Sequence, residues 1–358
     1  MAQRPLTGVA VSGGVDSLYA LASLKEAGTN VFALHARMLP PSLAPAHASG
    51  GDEDSLARLR DACAFLGVSL VVVDCVDAFA KAVIDPFVRA YAAGKTPNPC
   101  AHCNAAIKFG LLLDKAREHG ADHFATGHYI RLERTDSGPA LYAGNDTAKD
   151  QSYFLSLVPA DRLRFAVSPL ADKSKSEIRA FLAARGLTPP VPAESQEICF
   201  VPDDDYRAFL RARAAAIGVV LPGPGPVTLP DGTSVGTHKG LWQYTEGQRR
   251  GLGIAWKEPL YVLSKDAASN TLVTGGADSL GGREVAAEGC NFLVPFAAWP
   301  GRVRIRTRFR QQLRPARARL EADRLVLTEE NSSGPYARGQ IAAVYDEDGR
   351  VLAGGVIA

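Results

Sequence analysis

The stretch that decides the fold is Leu6-Thr7-Gly8-Val9-Ala10-Val11-Ser12-Gly13-Gly14-Val15-Asp16-Ser17, near the start of a 358-residue chain. Residues 6–11 form an apolar run of strand length, and the two glycines after it predict a tight turn. A helix pattern follows over residues 16–27 and is ended by Gly28. We therefore expect a strand, a glycine turn and a helix in direct succession.

This turn has the chemistry of a phosphate-binding loop. Consecutive backbone N–H groups at a helix N-terminus bind anions, and glycines let a phosphate approach the backbone closely. Ser12 and Ser17 would add hydroxyl donors, and the absence of a lysine excludes a Walker A motif. The alternative is a plain glycine turn with a Ser or Asp helix cap. The complete run at a strand–helix junction favours phosphate binding.

The first half of the chain continues to alternate strand and helix signals. Further strand patterns lie at 31–35, 70–73 and 123–126, and helix patterns lie at 54–66, 78–92 and 104–119. This order predicts an α/β domain, a parallel sheet with helices on both faces. Ligands bind such sheets beyond the carboxyl ends of the strands.

The pattern changes after about residue 200, where strands and turns replace the alternation. A helix pattern at 203–216 precedes Leu221-Pro222-Gly223-Pro224-Gly225-Pro226, which excludes regular structure. We predict three domains: a catalytic α/β domain at 1–202, a small linking domain at 203–282 and a C-terminal β-barrel-like domain at 283–358.

Composition indicates a soluble globular protein. Apolar residues make up 46% of the chain, which is enough for packed cores, and no apolar run reaches transmembrane length. The first five residues lack the apolar segment of a secretion signal. We expect a cytoplasmic protein with no membrane partner. The net charge of +2 does not by itself indicate nucleic acid.

Two cysteines stand in a proline-stiffened loop, Gly-Lys-Thr-Pro-Asn-Pro-Cys-Ala-His-Cys-Asn at 94–104. Cys103 is expected at the N-terminus of the following helix, capped by Asn104, where the helix dipole lowers the pKa of a thiol. The residues leave three interpretations open: a Cys-x-x-Cys redox pair, a metal site with Cys199 as third ligand, and sulfur transfer between Cys103 and Cys199. The other cysteines are expected to be buried small hydrophobic residues: Cys63, Cys75 and Cys290.

Seven motifs, in order over nearly the whole chain, resemble the tRNA-specific 2-thiouridylases, which are pyrophosphate-loop ATPases. Each motif alone is weak, but their order is specific. They are Val11-Ser12-Gly13-Gly14-Val15-Asp16-Ser17, Thr96-Pro97-Asn98-Pro99 with Cys103-Asn104, Ile107-Lys108-Phe109, Ala125-Thr126-Gly127-His128-Tyr129, Lys149-Asp150-Gln151-Ser152-Tyr153-Phe154-Leu155, Ser195-Gln196-Glu197-Ile198-Cys199-Phe200 and Gly247-Gln248-Arg249-Arg250-Gly251-Leu252-Gly253.

The resemblance implies residue roles. The loop would hold the pyrophosphate of ATP together with Mg²⁺, for which Asp16 is a candidate ligand. The implied ATP contacts are Ala10, Val11, Ser12, Gly13, Gly14, Val15, Asp16, Ser17, Ala36 and Gly127. The implied tRNA contacts are Pro97, Asn98 and Pro99 at the target base, and Lys149, Asp150, Gln151, Arg308 and Phe309 elsewhere.

The implied reaction is ATP-dependent 2-thiolation of the wobble uridine of tRNA. Adenylation would turn uracil O2 into a good leaving group, and a persulfide on Cys199 would attack C2. The Cys103 thiolate, as nucleophile, would then cleave the S–S bond. The expected partners are tRNAs for Lys, Glu and Gln, and a sulfur-donor protein such as a cysteine desulfurase or a relay protein.

Cys100 departs from the family pattern, since many members have Asp there. Three thiolates with an open iron position would suit a [4Fe–4S] cluster that binds sulfide, with Cys100, Cys103 and Cys199 as ligands in place of the persulfide relay. The segment 34–37, where a nucleotide contact is expected, also differs from the usual pattern.

Five arginines alternate with other residues between 302 and 310: Arg302, Arg304, Arg306, Arg308 and Arg310. A period of two would put all five on one face of a strand. Without a compensating acid they would repel one another, and a phosphate backbone would relieve that repulsion. A simple solvated strand face is the alternative, and we favour a nucleic-acid-binding face.

Two other functions compete with tRNA thiolation. A small-molecule adenylating ligase of the same ATPase group would need neither the cysteines nor the arginines. A non-catalytic iron–sulfur or tRNA-binding protein would not need the phosphate loop. Because the chain carries all three features, the sequence favours an RNA-modifying sulfurtransferase.

Overall fold

The chain divides into two units. The computed structural model describes residues 4–40, 53–136, 138–144, 146, 148–191, 198–331 and 334–358. The first unit comprises residues 1–83, 100–206 and 348–351, and the second comprises 84–99, 207–347 and 352–358. The predicted domain boundaries at 202 and 282 remain predictions. None of the described helices is both long enough and apolar enough to span a membrane.

A five-stranded parallel sheet forms the centre of the first unit. The strands of this unit are β1 (Leu6–Ala10), β2 (Asn30–Arg37), β3 (Leu70–Asp74), β4 (His123–Ala125), β5 (Arg131–Thr135), β6 (Gly138–Tyr142) and β7 (Ala166–Val167). The sheet has the order β3-β2-β1-β4-β7 and all its pairings are parallel, whereas β5 and β6 form a separate antiparallel hairpin. The predicted parallel sheet is confirmed.

The apolar periodicity predicts most of the helices that the structure contains. In chain order they are α1 (Val15–Glu26), α2 (Glu53–Phe65), α3 (Val76–Phe79), α4 (Asp85–Ala92), α5 (Pro99–Cys103), α6 (Leu113–Glu118), α7 (Ser152–Leu155), α8 (Ala160–Leu163), α9 (Lys175–Ala183) and α10 (Tyr206–Ala216). Wider π-helical segments, Ala80–Ile84 and Asn104–Leu112, interrupt two of these regions.

Helices cover both faces of the sheet, as expected for strands that are apolar on both sides. Val9 points to one face and is fully buried in a cluster that includes Leu18 of α1, Leu59 of α2 and Ile178 of α9. Gly8 points to the other face, where a β-carbon would lie 2.8 Å from Leu34 Cδ1 and 3.0 Å from Ala116 Cβ of α6. Adjacent residues of β1 therefore alternate between two packed layers.

The second unit contains a four-stranded sheet and a closed barrel. Its strands are β8 (Gly225–Thr228), β9 (Ser234–His238), β10 (Tyr261–Asp266), β11 (Thr271–Gly275), β12 (Glu284–Phe292), β13 (Val303–Arg306), β14 (Arg314–Glu321), β15 (Arg324–Glu329), β16 (Ile341–Tyr345) and β17 (Val351–Ile357). The sheet has the order β10-β11-β8-β9, and the six-stranded barrel has the order β12-β15-β14-β13-β16-β17. The predicted C-terminal barrel is confirmed. Its interior is filled by aliphatic side chains such as Ile305 and Leu327.

Thr96 is fixed within the second unit by residues far along the chain. Its backbone N–H donates to the Arg338 carbonyl (2.7 Å), and its carbonyl accepts from Gln340 Nε2 (2.9 Å). Its hydroxyl accepts from Lys265 Nζ (3.2 Å) and lies 3.2 Å from the Thr245 hydroxyl. These bonds hold the start of the Thr-Pro-Asn-Pro segment in one conformation.

Lys265 belongs to a buried ion pair with Glu246. The two side chains are only 1% and 2% exposed, and Nζ lies 3.5 Å from Oε2. Burial raises the pKa of Glu246 and lowers that of Lys265, while each charge stabilises the other. Lys265 Nζ also donates to the Tyr244 carbonyl at 2.8 Å. This network depends on both charges being present, since a lone buried charge is costly.

Lys265→Met should lower the free energy of unfolding of the second unit by about 3–5 kcal/mol, because it leaves the Glu246 carboxylate buried without its counter-charge. Urea unfolding followed by tryptophan fluorescence would measure the change. The matched control is Lys257→Met, at a solvent-exposed lysine of the same unit, which should leave the urea midpoint almost unchanged. Equal midpoints for the two variants would contradict the prediction.

Candidate active site

The glycine loop joins β1 to α1 at the carboxyl edge of the sheet. Gly13 has a φ of +85°, which favours glycine. The Ser12 N–H donates to Ser17 Oγ (3.1 Å), and the Ser17 hydroxyl donates to the Gly14 carbonyl (3.0 Å). No side chain caps α1 at Gly14, so the cap alternative for this turn does not hold. The first backbone N–H groups of α1 are left for an anion.

Gly127 lies directly against this loop. A β-carbon at Gly127 would stand 2.8 Å from the Ser17 nitrogen and 2.9 Å from the Asp16 carbonyl carbon, closer than real β-carbons approach backbone. Glycine is therefore required where the chain leaving β4 meets the start of α1. The structure thus brings Gly127 to the phosphate loop from about a hundred residues along the chain.

Lys175 supplies the cation that the loop itself lacks. Its Nζ contacts both carboxylate oxygens of Asp16, at 2.9 and 2.7 Å, and the Tyr129 hydroxyl donates to Asp16 Oδ1 at 2.7 Å. Lys175 is the first residue of α9, whose N-cap Ser174 forms a capping box with Glu177. The capping box is visible in the sequence, but no sequence pattern indicates that Lys175 reaches the loop.

Asp16 is consequently engaged by an ammonium group and a phenol, so a bound Mg²⁺ would have to share or displace these partners. Magnesium is usually held by one or two carboxylates together with substrate phosphates. Asp16 fits that pattern as a single carboxylate beside a phosphate loop. The protein alone does not provide a complete set of ligands in the described residues.

Ala36 lies near the carboxyl end of β2, the strand that pairs with β1. The preceding residue, His35, is buried and its Nδ1–H donates to the Val11 carbonyl at 2.8 Å. This bond fixes the point where β1 runs into the loop. The predicted ATP contact at Ala36 therefore stands at the same edge of the sheet as the loop.

Cys103 does not occupy a helix N-terminus, so the dipole prediction for this thiol is wrong. The helix starts at Pro99, and Cys103 is the last residue of α5 before the π-helical segment. Asn104 is buried inside the helical run and donates to the Phe154 carbonyl (3.1 Å) instead of capping. Burial raises the pKa of the Cys103 thiol to about 11, although the Lys108 ammonium acts in the opposite direction.

Three thiols from two segments are close enough to influence one another. Desolvation, and after it the Cys103 and Cys100 thiols, raise the pKa of Cys199 to about 12. Desolvation also raises the pKa of Cys100. Cys100 and Cys199 are exposed residues, whereas Cys103 is buried. The protein atoms packed around the two exposed residues nevertheless displace much of the water near their thiols. Cys75, buried as predicted, also acts on Cys103.

The expected [4Fe–4S] ligand set receives no support. Within the described part of the chain, no three His, Cys, Asp or Glu side chains are placed to hold a metal ion. Cys100 and Cys103 share one helical turn, and Cys199 comes from a separate segment.

Lys108 is the cation of the thiol region, a position that no sequence pattern indicates. Its Nζ donates to His128 Nε2 at 3.3 Å, and His128 Nδ1 lies 2.8 Å from the Thr126 hydroxyl. Burial, followed by the Lys108 charge, holds the pKa of His128 well below its usual range. His128 is therefore neutral and accepts from Lys108, which leaves the ammonium available to the thiols.

Three ranges that make up most of the chain match known protein families. Residues 7–203 match the tRNA methyl transferase HUP domain, 219–276 its PRC-barrel domain, and 283–357 the aminomethyltransferase beta-barrel domain. Relatives named tRNA-specific 2-thiouridylase MnmA include that of Nitratidesulfovibrio vulgaris (strain DSM 19637 / Miyazaki F), 54% identical over 98% of both chains. Those of Oleidesulfovibrio alaskensis and Lawsonia intracellularis are 52% and 48% identical, again over 98% of both chains.

The chain belongs to the tRNA-specific 2-thiouridylase family. The resemblance read from the seven motifs is thereby confirmed. Of the motif around Cys199, Ser195, Gln196 and Glu197 lie outside the described residues.

The family motif at 149–151 combines one buried residue with two half-buried residues. The Asp150 carboxylate is buried and accepts from the backbone N–H groups of Gly144 and Ser152, both at 2.9 Å. The Gln151 side-chain carbonyl accepts from the Tyr129 N–H at 3.0 Å. Asp150 thus shapes the segment, and Lys149 is only half-buried. In the other predicted tRNA motif, Asn98 and Pro99 are buried and Pro97 is half-buried.

The predicted five-arginine face is wrong for this 2-thiouridylase-family chain. Strand β13 ends at Arg306, which is itself buried with its guanidinium 5.6 Å from the Tyr345 ring centre. Arg302 pairs with Glu330 at 2.6 Å, and Arg310 has a positive φ of 61°. Turn geometry and a local acid, neither visible in the alternation, break up the array.

Arg308 lies two residues beyond the end of β13 and is exposed, and hydrogen bonds fix the position of its guanidinium group. It donates to the carbonyls of Glu246 and Pro335, both at 3.2 Å. It lines a recess of about 420 Å³ together with Thr96, Gln248 and Gln340. Phe309, half-buried, follows it, with the Arg310 guanidinium 5.2 Å from its ring centre. An arginine held beside a recess can still donate hydrogen bonds to a phosphate group.

Gly127→Ala should weaken ATP binding by roughly tenfold or more, because the new methyl group must push the Ser17 backbone out of place and thereby misdirect the loop N–H groups. Isothermal titration calorimetry with ATP and Mg²⁺ would measure the dissociation constant. Gly223→Ala is the matched control, since a β-carbon there meets nothing within 4 Å. An unchanged dissociation constant for Gly127→Ala would argue against ATP binding at this loop.

Lys108→Met should slow alkylation of Cys199 by roughly two- to tenfold at a fixed pH, because loss of the ammonium raises the thiol pKa and reduces the thiolate fraction. In the wild type the rate should rise about tenfold per pH unit below the pKa. Iodoacetamide labelling read by peptide mass spectrometry would give the rates. Lys108→Arg keeps the charge and should react like the wild type; equal rates for Lys108→Met would refute the role.

Proposed function

We propose that this protein uses ATP to replace O2 of the wobble uridine of tRNA with sulfur, as a tRNA-uridine 2-sulfurtransferase. The observation that carries the proposal is that a phosphate loop and three interacting thiols lie in one unit of a chain from the 2-thiouridylase family. A small-molecule adenylating ligase of the same ATPase group is not favoured, because it would leave the thiols unused.

ATP binds at the loop of residues 12–17 in this proposal. The backbone N–H groups at the start of α1 hold the pyrophosphate portion, and Lys175 and Mg²⁺ offset its charge. The Lys175 ammonium, which pairs with the Asp16 carboxylate, can also contact the phosphates of a bound ATP. Uracil O2 attacks the α-phosphorus, the bond to pyrophosphate breaks, and the base carries AMP on O2.

Sulfur transfer follows at the thiols. The terminal sulfur of a persulfide on Cys199 attacks C2 of the adenylated base, and the C2–O2 bond breaks with AMP as leaving group. The Cys103 thiolate then attacks Cys199 Sγ, so that the S–S bond to the base breaks and a Cys103–Cys199 disulfide forms. The electron pair of the broken bond stays on the sulfur now attached to C2. An external dithiol or thiol must reduce the disulfide before the next turnover.

The high thiol pKa values would keep the thiols unreactive until the substrates are bound. Without a substrate, Cys103 with a pKa of about 11 is almost entirely protonated at neutral pH, and a protonated thiol is a poor nucleophile. Lys108 opposes this by favouring the thiolate. The role proposed for Lys108 is to stabilise the anionic sulfur of Cys103 or of the Cys199 persulfide during transfer.

The sulfur source and the substrate set are further parts of the proposal. Cys199 is exposed, so a cysteine desulfurase or relay protein can deliver persulfide sulfur to it. The tRNAs for Lys, Glu and Gln are the proposed substrates, and the cytoplasm is the proposed location. Cys100, also exposed, is a neighbour of the relay and not an obligatory member of it.

The test is the yield of 2-thiouridine in unmodified tRNA, read by mass spectrometry of digested nucleosides. The full chain is incubated with ATP, Mg²⁺, tRNA, a persulfide donor and a dithiol. Cys103→Ser and Cys199→Ser should each abolish product while tRNA-stimulated pyrophosphate release continues, because adenylation precedes sulfur transfer. Cys290→Ser, at a half-buried cysteine of the barrel, is the matched control and should keep full activity.

Two results would contradict the proposal. Full product formation by Cys103→Ser would remove the relay, and the absence of tRNA-stimulated AMP formation in the wild type would remove adenylation. A parallel sample stripped of iron by a chelator should form product at the same rate. Loss of product on iron removal, with recovery on reconstitution, would replace the relay by cluster chemistry at Cys100, Cys103 and Cys199.

A further inference from the structure

The segment 247–258 of the second unit, here called the Trp256 loop, has no part in the chemistry described above. Its first two residues are held to β10, since the Gly247 N–H donates to the Val262 carbonyl (2.8 Å) and the Val262 N–H to the Gln248 carbonyl (2.9 Å). Leu252 and Ile254 pack against the core of the four-stranded sheet. The loop is therefore anchored at its base and along its inner side.

The outer side of the loop presents an aromatic ring. Trp256 is 37% exposed, whereas Trp242 in the same unit is only 4% exposed. Residues 249 and 251–260 line an open recess of about 650 Å³, which is within the size range of small-molecule sites. An exposed indole on an anchored backbone is costly in water and is suited to stacking on a flat partner.

The charges around Trp256 are mostly positive. Arg249, Arg250 and Lys257 are all exposed, and within the described residues none of them has a carboxylate ion-pair partner. The single acid of the loop, Glu258, leans toward Gly276, where a β-carbon would meet its Oε2 at 3.2 Å. Three cations on the loop that carries the indole, with no carboxylate ion-pair partner among the described residues, favour a partner that combines flat rings with negative charge.

The loop is also continuous with a predicted tRNA contact. A β-carbon at Gly247 would stand 2.9 Å from an Arg308 guanidinium nitrogen, so the loop begins against that arginine. Gln248 and Arg308 line the same recess. An RNA strand bound at Arg308 would therefore lie beside the start of the Trp256 loop.

We propose that the Trp256 loop is a second RNA-binding surface, on which the Trp256 indole stacks on an unpaired base while Arg249, Arg250 and Lys257 contact the adjoining phosphates. This inference rests on the proposed function for the identity of the RNA, which is the substrate tRNA. Stacking on aromatic rings and salt-sensitive phosphate contacts are the general means by which proteins hold single-stranded RNA. An acidic protein partner would match the cations but would leave the indole without a flat ring.

The first test titrates the full-length protein with unmodified tRNA and follows tryptophan fluorescence and filter binding. The chain has three tryptophans, and stacking should quench the exposed one. Trp256→Ala should abolish the quench and weaken the Kd for tRNA roughly five- to hundredfold. Trp256→Phe should also abolish the quench but keep the Kd within about threefold, because a phenyl ring still stacks.

The matched control is Phe65→Ala, which removes another exposed aromatic ring, in the first unit, and should leave quench and Kd unchanged. Lys257→Gln should reduce the slope of log K against log salt by about one, the sign of a lost phosphate contact. A wild-type Kd for Trp256→Ala would overturn the proposal. So would quenching by polyglutamate without quenching by tRNA, since the surface would then serve an acidic protein.

These binding measurements need neither ATP nor sulfur. If the wild type binds tRNA through Trp256 but forms no 2-thiouridine, the proposed function fails and the RNA-binding surface stands. If 2-thiouridine forms at the wild-type KM for tRNA in Trp256→Ala, the proposed function stands and the surface fails.

Discussion

The close approach of Gly127 to the backbone of Ser17 is the constraint on which the catalytic unit depends. Anion binding at a helix N-terminus needs several N–H groups aimed at one point, and that direction is set by how α1 leaves β1. The end of β4 packs against this junction without a side chain between them. The same packing brings His128 and Tyr129 to the site, so the nucleotide loop, its lysine and the thiol region share one support.

Desolvation dominates the electrostatics of the thiols. A helix dipole acts only on the first turn, and the observed helix begins at Pro99 rather than at Cys103. Burial then outweighs the Lys108 charge, so the Cys103 thiol rests in its protonated, less reactive form. For an enzyme that handles transferable sulfur, a resting state of this kind limits side reactions. In the proposed mechanism, reactivity comes from the persulfide on Cys199 and from Lys108.

The second unit uses buried polar groups for a different purpose. Lys265 and Glu246 would be costly in isolation, but together they anchor Thr96 from a strand that follows it by many residues. The segment carrying Pro97 and Asn98 is thus ordered by the C-terminal half of the chain. The same unit leaves Arg308 and the Trp256 loop at its surface.

The sequence alone determined the parallel α/β sheet, the phosphate loop, the C-terminal barrel and the family, because these follow from local periodicity and from motifs that are contiguous in the chain. It predicted the five-arginine face wrongly, since the end of β13 and the pairing of Arg302 with Glu330 depend on neighbours distant in sequence. Only the tertiary structure decided that Lys175 reaches Asp16, that Lys108 faces the thiols, and that burial raises the pKa of Cys103. The burial of a side chain and the electrostatic effect of its neighbours depend on residues that are close in space but distant in sequence, and no local pattern contains them.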